Sequence, residues 1–219
     1  LGKVSAYPVV FVGTGQLLGT DDLVTAQINS LYAIKDRLTD TDYGSPRPLS
    51  PAQTVPTPGD FVAQTLTSGI CPAGNEGCTA GDPIVTATNN AVDFALNDGW
   101  YIDLPVAGER INTDLRLQLG TLTFNSNRPT TGACVPVGVS FVYALDYRTG
   151  GYVEGTSGPL GRWLADALSS AATAVSRTDG TKWLLIQTDK PSIEIPPLPE
   201  PLTPRSARRI SWRELVGGQ

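Results

Sequence analysis

The residues most able to do chemistry begin with a glycine cluster. "YPVVFVGTGQLLG" (residues 7–19) reads as a buried strand entering a glycine-rich turn, which is how a dinucleotide-binding site opens. That fingerprint needs G-x-G-x-x-G between a strand and a helix, with an acid about twenty residues on. Here the spacing is Gly13-x-Gly15-x-x-x-Gly19, one residue too long. The following "TDDLVTAQINSLYAIKD" leaves no room for a full crossover helix. Gly13 and Gly15 are therefore expected to be turn glycines. "DTDYG" imitates the start of a calcium loop, but Gly44 comes one position early and the place of the bidentate Glu is held by Pro51. Asp40 and Asp42 read better as a solvated turn. Nucleophilic triads that rely on histidine are excluded, because the chain contains His 0. Asp103 with Glu109 could serve acid–base chemistry, yet Glu109-Arg110 reads better as a structural ion pair in a tight turn. The expectation is a non-enzymatic segment with no cofactor of its own.

Cys71 and Cys78 frame "CPAGNEGC", a Pro/Gly/Asn loop that a short-range disulfide can close. A metal site is a poor alternative, since Cys134 is distant and histidine is absent. A disulfide implies an oxidising compartment, with Cys134 free or paired elsewhere.

Short, β-branched or aromatic segments must position these groups. Strands are predicted at 7–12, 30–36, 61–67, 83–88, 100–104, 119–125, 139–146, 171–177 and 181–188. "TDG" should join the last two, with Gly180 at positive φ. Leu160, Trp163, Leu164 and Leu168 fall at helical spacing, so 159–169 is predicted as a helix. Residues 37–60, with five prolines, and 68–82 read as loop insertions. Residues 190–219 read as an extended Pro-rich tail after a main unit at 1–189, ending in "RRISWREL" with Trp212 as an aromatic anchor.

The totals agree with an all-β chain. Of 219 residues, Gly 23 and Pro 18 favour many turns over long helices. The net charge of −5 argues against a nucleic-acid partner. The one basic cluster, including Arg208 and Arg209, reads as a solvated or docked terminus. No apolar run reaches the ~18 residues of a membrane span. The chain opens in mid-register and is expected to be a piece of a longer protein, so missing targeting signals say little.

A weak internal repeat organises the strands. "VVFVGTG" leads to "SLYAIKD", and "LTFNSNRP" leads to "FVYALDYRTGG" at nearly the same spacing. Asp36 and Asp146 close the second strand of each pair and can turn the chain by accepting backbone N–H groups. β-Propeller blades have this pattern, and about two blades' worth of strands is present where a propeller needs about four. The expected fold is the last blades of a β-propeller with long loops.

Residues 99–151 closely resemble the C-terminal propeller of the PilY/PilC family, the tip-associated proteins of type IV pili. The shared positions are Gly99, Trp100, Tyr101, Asp103, Leu104, Pro105, Gly108, Glu109, Arg110, Pro129, Cys134, Asp146, Thr149 and Gly150. Residues 7–36, with Gly13, Gly15 and Asp36, resemble the same family's preceding segment. "RRISWREL" resembles its C-terminus in β-proteobacterial members. The resemblance implies a pilus biogenesis factor or adhesin at the outer surface or in the periplasm of a Gram-negative bacterium. It implies minor pilins, the N-terminal remainder of the protein and host or surface ligands as partners. The Pro-rich arm with its aromatic anchor is expected to pack onto the propeller or onto a pilin, which makes Arg208, Arg209 and Trp212 the candidate partner-docking residues. Calcium bound by some members is expected only elsewhere in a full-length protein. The competing reading is a propeller fragment of a periplasmic quinone-dependent dehydrogenase, whose blades share the "LYALD-x-x-TG" style.

Overall fold

A computed structural model describes residues 2–24, 26–38, 60–75, 78–130, 137–156, 158–176, 178–190 and 193–199. The fold is all-β, with no α-helix among these residues. The strands are β1 (Gly2–Val4), β2 (Tyr7–Gly13), β3 (Ser30–Lys35), β4 (Phe61–Gln64), β5 (Leu66–Ile70), β6 (Pro83–Ala87) and β7 (Gly99–Asp103). They continue with β8 (Arg116–Gln118), β9 (Thr121–Thr130), β10 (Val137–Asp146), β11 (Gly161–Ala165), β12 (Thr173–Ser176), β13 (Lys182–Gln187) and β14 (Ile193–Glu194).

These strands form three sheets, none of them closed. The first is five-stranded in the order β1-β2-β3-β7-β4, the second six-stranded in the order β5-β6-β11-β10-β9-β8, and the third three-stranded in the order β12-β13-β14. All neighbours are antiparallel except β4, which runs parallel to β7. The sheets pack through two cores. Val9, Leu31, Trp100 and Ile102 of the first sheet meet Leu122, Phe124, Tyr143 and Leu145 of the second. On the second sheet's other side, Val142 and Leu164 meet Leu184 and Ile186 of the third. Strand alternation allows this, because Tyr143 and Val142 point to opposite faces. The second sheet is thus the middle layer, and β9 is buried on both faces from Thr121 to Asn127.

Residues 159–169 do not form a helix. Gly161–Ala165 is a strand between β10 and β6. The strand is short and half-buried at Arg162, Trp163 and Ala165, so it shows no clean alternation, and periodicity alone does not separate such a segment from a helix. Position 161 also admits only glycine, since a Cβ there would lie 2.6 Å from Tyr143 Cε1. The segment 68–82 is likewise only partly a loop. Residues 68–70 complete β5, and the chain then returns as β6. The first part of the tail belongs to the third sheet. Leu184 N–H donates to Pro196 O at 2.8 Å, Leu198 N–H donates to Lys182 O at 3.0 Å, and Leu198 is buried. The β12–β13 hairpin turns at Gly180 with φ 87°.

Candidate functional site

The glycine loop and the "GERI" segment lie against each other. β2 and β3 are antiparallel neighbours, so the loop between them is a strand-to-strand connection rather than the phosphate turn of a βαβ unit. Among its described residues, only a short 3-10 turn, Thr20–Val24, interrupts it. Thr14 N–H donates to Ser30 O at 2.8 Å, and Ile111 N–H donates to Thr14 O at 3.0 Å. This approach explains both glycines. A Cβ on Gly13 would sit 2.4 Å from Ile111 Cγ2. A Cβ on Gly15 would sit 2.8 Å from Arg110 Cβ, and its φ of +113° is one that side chains rarely adopt.

A polar pocket of about 420 Å³ opens at this junction, lined by Thr14, Gly15, Gln16, Asp22, Gln27, Asn29 and Arg110. Asp22 is its acid. Its carboxylate accepts from Leu18 N–H at 2.7 Å, Gln16 Nε2 at 3.0 Å and Gly19 N–H at 3.0 Å. These bonds, that from Leu18 foremost, hold its carboxyl below the ordinary value. The Arg110 guanidinium donates to the Asp22 carbonyl, and Asn29 Nδ2 donates to Glu109 O at 2.8 Å. Donors and acceptors line one concavity, suited to hydrogen-bonding a polar ligand or partner side chain.

Glu109 and Arg110 do not pair with each other as the sequence suggests. Neighbours on an extended chain point to opposite sides. Arg110 reaches the Thr20–Val24 turn, while Glu109 enters the core between the first two sheets. There it accepts from Tyr143 OH at 2.7 Å and from Ser126 Oγ. Burial pushes the Glu109 carboxyl above its ordinary value, and the two hydroxyls only partly offset that. Tyr143, fully buried beside this acid, is pushed well up. Asp103 is engaged elsewhere, accepting from Ser30 Oγ at 2.6 Å.

Other residues of the resemblance are also gathered here. Trp100 donates from Nε1 to Tyr147 O at 3.1 Å, and its ring fills the space a Cβ on Gly150 would need, 2.5 Å from Cε3. Gly99, at φ +146°, leaves no room for a Cβ beside Ala33 O, 1.8 Å away. Tyr101 stacks on Tyr32 with centroids 6.0 Å apart. Gly108 N–H donates to Gln27 O at 3.0 Å. Asp36 accepts from Leu38 N–H at 2.8 Å and Asp146 from Arg148 N–H at 2.9 Å, so both acids make the expected turn. Cys71 and Cys78 form the expected disulfide. Arg208, Arg209, Trp212, Cys134, Asp40, Asp42 and Gly44 lie outside the described residues.

Sequence reasoning missed a buried ionic cluster and a polar seam. Asp98 accepts from Arg37 Nε at 3.1 Å and lies 3.3 Å from Lys35 Nζ, which also donates to Phe94 O at 2.9 Å. Asn127 joins the second sheet to the approach of the third. Its Oδ1 accepts from Ser169 N–H at 2.8 Å, and its Nδ2 donates to Ser169 O at 3.0 Å. Both are legible only once distant segments are brought together.

Among the described residues, no group of three or more His, Cys, Asp or Glu could hold a metal ion. None of their helices is long and apolar enough to cross a membrane. No protein-family model matches the chain, and no curated protein or solved structure matches it.

Proposed function

We propose that the chain forms the last blades of a PilY/PilC-type β-propeller and acts as a binding and assembly module at the type IV pilus tip. One observation carries this reading. The first two sheets each contain a four-stranded antiparallel unit, β1-β2-β3-β7 and β8-β9-β10-β11. In both, the third strand carries Tyr-Ala near its end and is closed by an Asp, Asp36 directly after β3 and Asp146 at the end of β10, and that Asp accepts the N–H two residues on. The two units pack face to face, as successive blades do.

In this role the segment works with minor pilins to promote pilus assembly, extension, adhesion and twitching. It docks on the N-terminal remainder of the same protein and presents its loops to host or surface ligands. The Cys71–Cys78 bond supports a site in the periplasm or at the outer surface. The experiment is deletion of this segment from the full-length gene in its source bacterium. Surface pili and twitching should be lost, should return on complementation, and minor pilins should co-purify with the intact protein. Normal piliation with an intact tip complex would sink the proposal. Loss of a quinone-dependent dehydrogenase activity instead would favour the enzyme reading.

A further inference from the structure

The β5–β6 hairpin leaves one side of β5 open. β5 is the edge of the second sheet, and it pairs with β6 in unbroken register from Leu66↔Ala87 to Ile70↔Pro83. Beyond its ends, Thr88 N–H donates to Thr65 O at 3.0 Å and Cys71 N–H donates to Asp82 O at 2.8 Å. Hydrogen-bonded and non-bonded pairs alternate along an antiparallel ladder. Thr65, Thr67, Gly69 and Cys71 therefore turn their backbone groups toward β6. Leu66, Ser68 and Ile70 turn theirs outward, where nothing among the described residues pairs with them. Pro83 fits this phase, because it stands opposite Ile70 at a position that needs no N–H from it.

Natural edge strands are normally guarded by charge, proline, bulges or brevity. β1 carries Lys3 and β8 carries Arg116, and each spans 3 residues. β5 spans 5 residues, "LTSGI", with no charge and no proline. Thr67 to Ile70 are exposed, and Ile70 keeps 63% of its surface in water. The Cys71–Cys78 bond closes the loop that follows, which holds the hairpin against fraying.

We propose that β5 is a self-association strand, pairing antiparallel with β5 of a second copy about a two-fold axis at Ser68. The sequence is self-complementary in that register. Ser68 meets its own copy, Thr67 meets Gly69, and Leu66 meets Ile70 on one face, so the exposed Ile70 is covered. Each opposed pair of outward residues exchanges both of its N–H···O bonds. A charge at the centre would face itself across the axis, and Ser68 carries none. The occupant is a second copy, and the two middle sheets become one continuous sheet. This inference goes beyond the pilus reading and does not depend on it.

The test is sedimentation velocity on the purified chain from about 10 μM to about 1 mM, the range of a small, weak interface. Amide exchange at Leu66, Ser68 and Ile70 is followed by NMR over the same range. A dimer should appear with concentration, and those three amides should slow in proportion. Ser68→Pro removes an outward N–H while sparing the bonds to β6, and Ser68→Lys opposes like charges. Each should weaken the dimer about tenfold or more, with unchanged circular dichroism and melting temperature. A monomer throughout the range overturns the proposal. So does a dimer that persists in both folded variants, or one whose three amides stay unprotected. Protection that appears only when a different protein is added assigns the edge to a foreign strand and equally overturns it.

Discussion

The first and second sheets bury an acid by opposite means. In the first, Asp98 is set between two cations, Lys35 and Arg37, and its side chain keeps only 2% of its surface exposed. In the second, Glu109 is equally hidden but accepts from hydroxyls, Tyr143 and Ser126, with Arg128 acting only at longer range. The strands around the two sites are alike, each with an antiparallel four-stranded unit and an Asp-closed third strand. The difference lies in what each acid was given. Opposite charges beside a buried acid offset part of its lost solvation by direct attraction. A carboxyl met by neutral donors has its charged form disfavoured by lost solvation. The same layout therefore carries one site that depends on charge and one that resists it.

The sharpest way to break this contrast is Asp98→Ala. It removes the acid from beside Lys35, which is itself buried and whose ring neighbour is Tyr7, 4.9 Å from Nζ to centroid. Removing one partner of a buried ion pair typically costs about 3–5 kcal/mol, because the other charge is stranded. Chemical denaturation should show a loss of that size. A double replacement by apolar residues, Lys35→Met with Asp98→Leu, should recover much of it. A loss below about 1 kcal/mol for Asp98→Ala would place the cluster among solvent-screened pairs and end the contrast.

What the sequence displays follows the same divide between local and distant interactions. Each predicted strand segment overlaps an observed strand, because β-branched and aromatic runs between turn residues are local signals. The two Asp turns were legible for the same reason, since the acceptor and the N–H lie two residues apart. So was the disulfide, whose cysteines are 7 residues apart. Gly15 lies in the turn as expected, whereas Gly13 is the last residue of β2, paired with Leu31; Ile111 and Arg110, which forbid a side chain at the two positions, are remote in sequence. Asp98 in "NDGW" and Lys35 in "YAIKD" are far apart in sequence. Nothing local shows that β3 and the approach to β7 bring them together. The helix expected at 159–169 failed because the strand there is only five residues long, with Gly161 and Leu164 buried and Arg162, Trp163 and Ala165 half-buried, so it shows no two-residue alternation to reveal it.

Glu109→Gln sharpens the contrast through pH. Burial raises the folded carboxyl above the ordinary value of 4.5. Between that value and the raised one, the native state holds more protons than the unfolded state. Stability therefore falls as pH rises through this window, the reverse of a salt-bridged acid. Glutamine cannot ionise, and its amide oxygen can still accept from Tyr143 and Ser126. Melting curves across mildly acidic to neutral pH should show the wild-type chain declining upward from pH 4.5 relative to Glu109→Gln. A difference that stays flat with pH would mean the charged form is better compensated than its hydroxyl partners allow.

The smallest effect separates the two Asp turns. Asp36 accepts one backbone bond, from Leu38, a residue at φ 64° and largely exposed. Asp146 accepts from Arg148 N–H at 2.9 Å, and also from Arg148 Nε at 3.0 Å and Nη2 at 2.5 Å, on a site that is itself buried. A single net hydrogen bond is worth about 1 kcal/mol, and one to a charged group about 1.5–3 kcal/mol. Asp36→Ala should cost about 1 kcal/mol and Asp146→Ala somewhat more, because Ala also removes two charge-assisted bonds from Arg148, a third of whose side chain is exposed and screened by water. Asparagine distinguishes the causes, since its side-chain oxygen keeps the turn bond but carries no charge. Asp36→Asn should be nearly neutral, and Asp146→Asn should retain part of the loss. Equal losses for the two alanines, fully repaired by asparagine at both sites, would show that the turn bond alone matters and that the second sheet draws nothing from the extra charge.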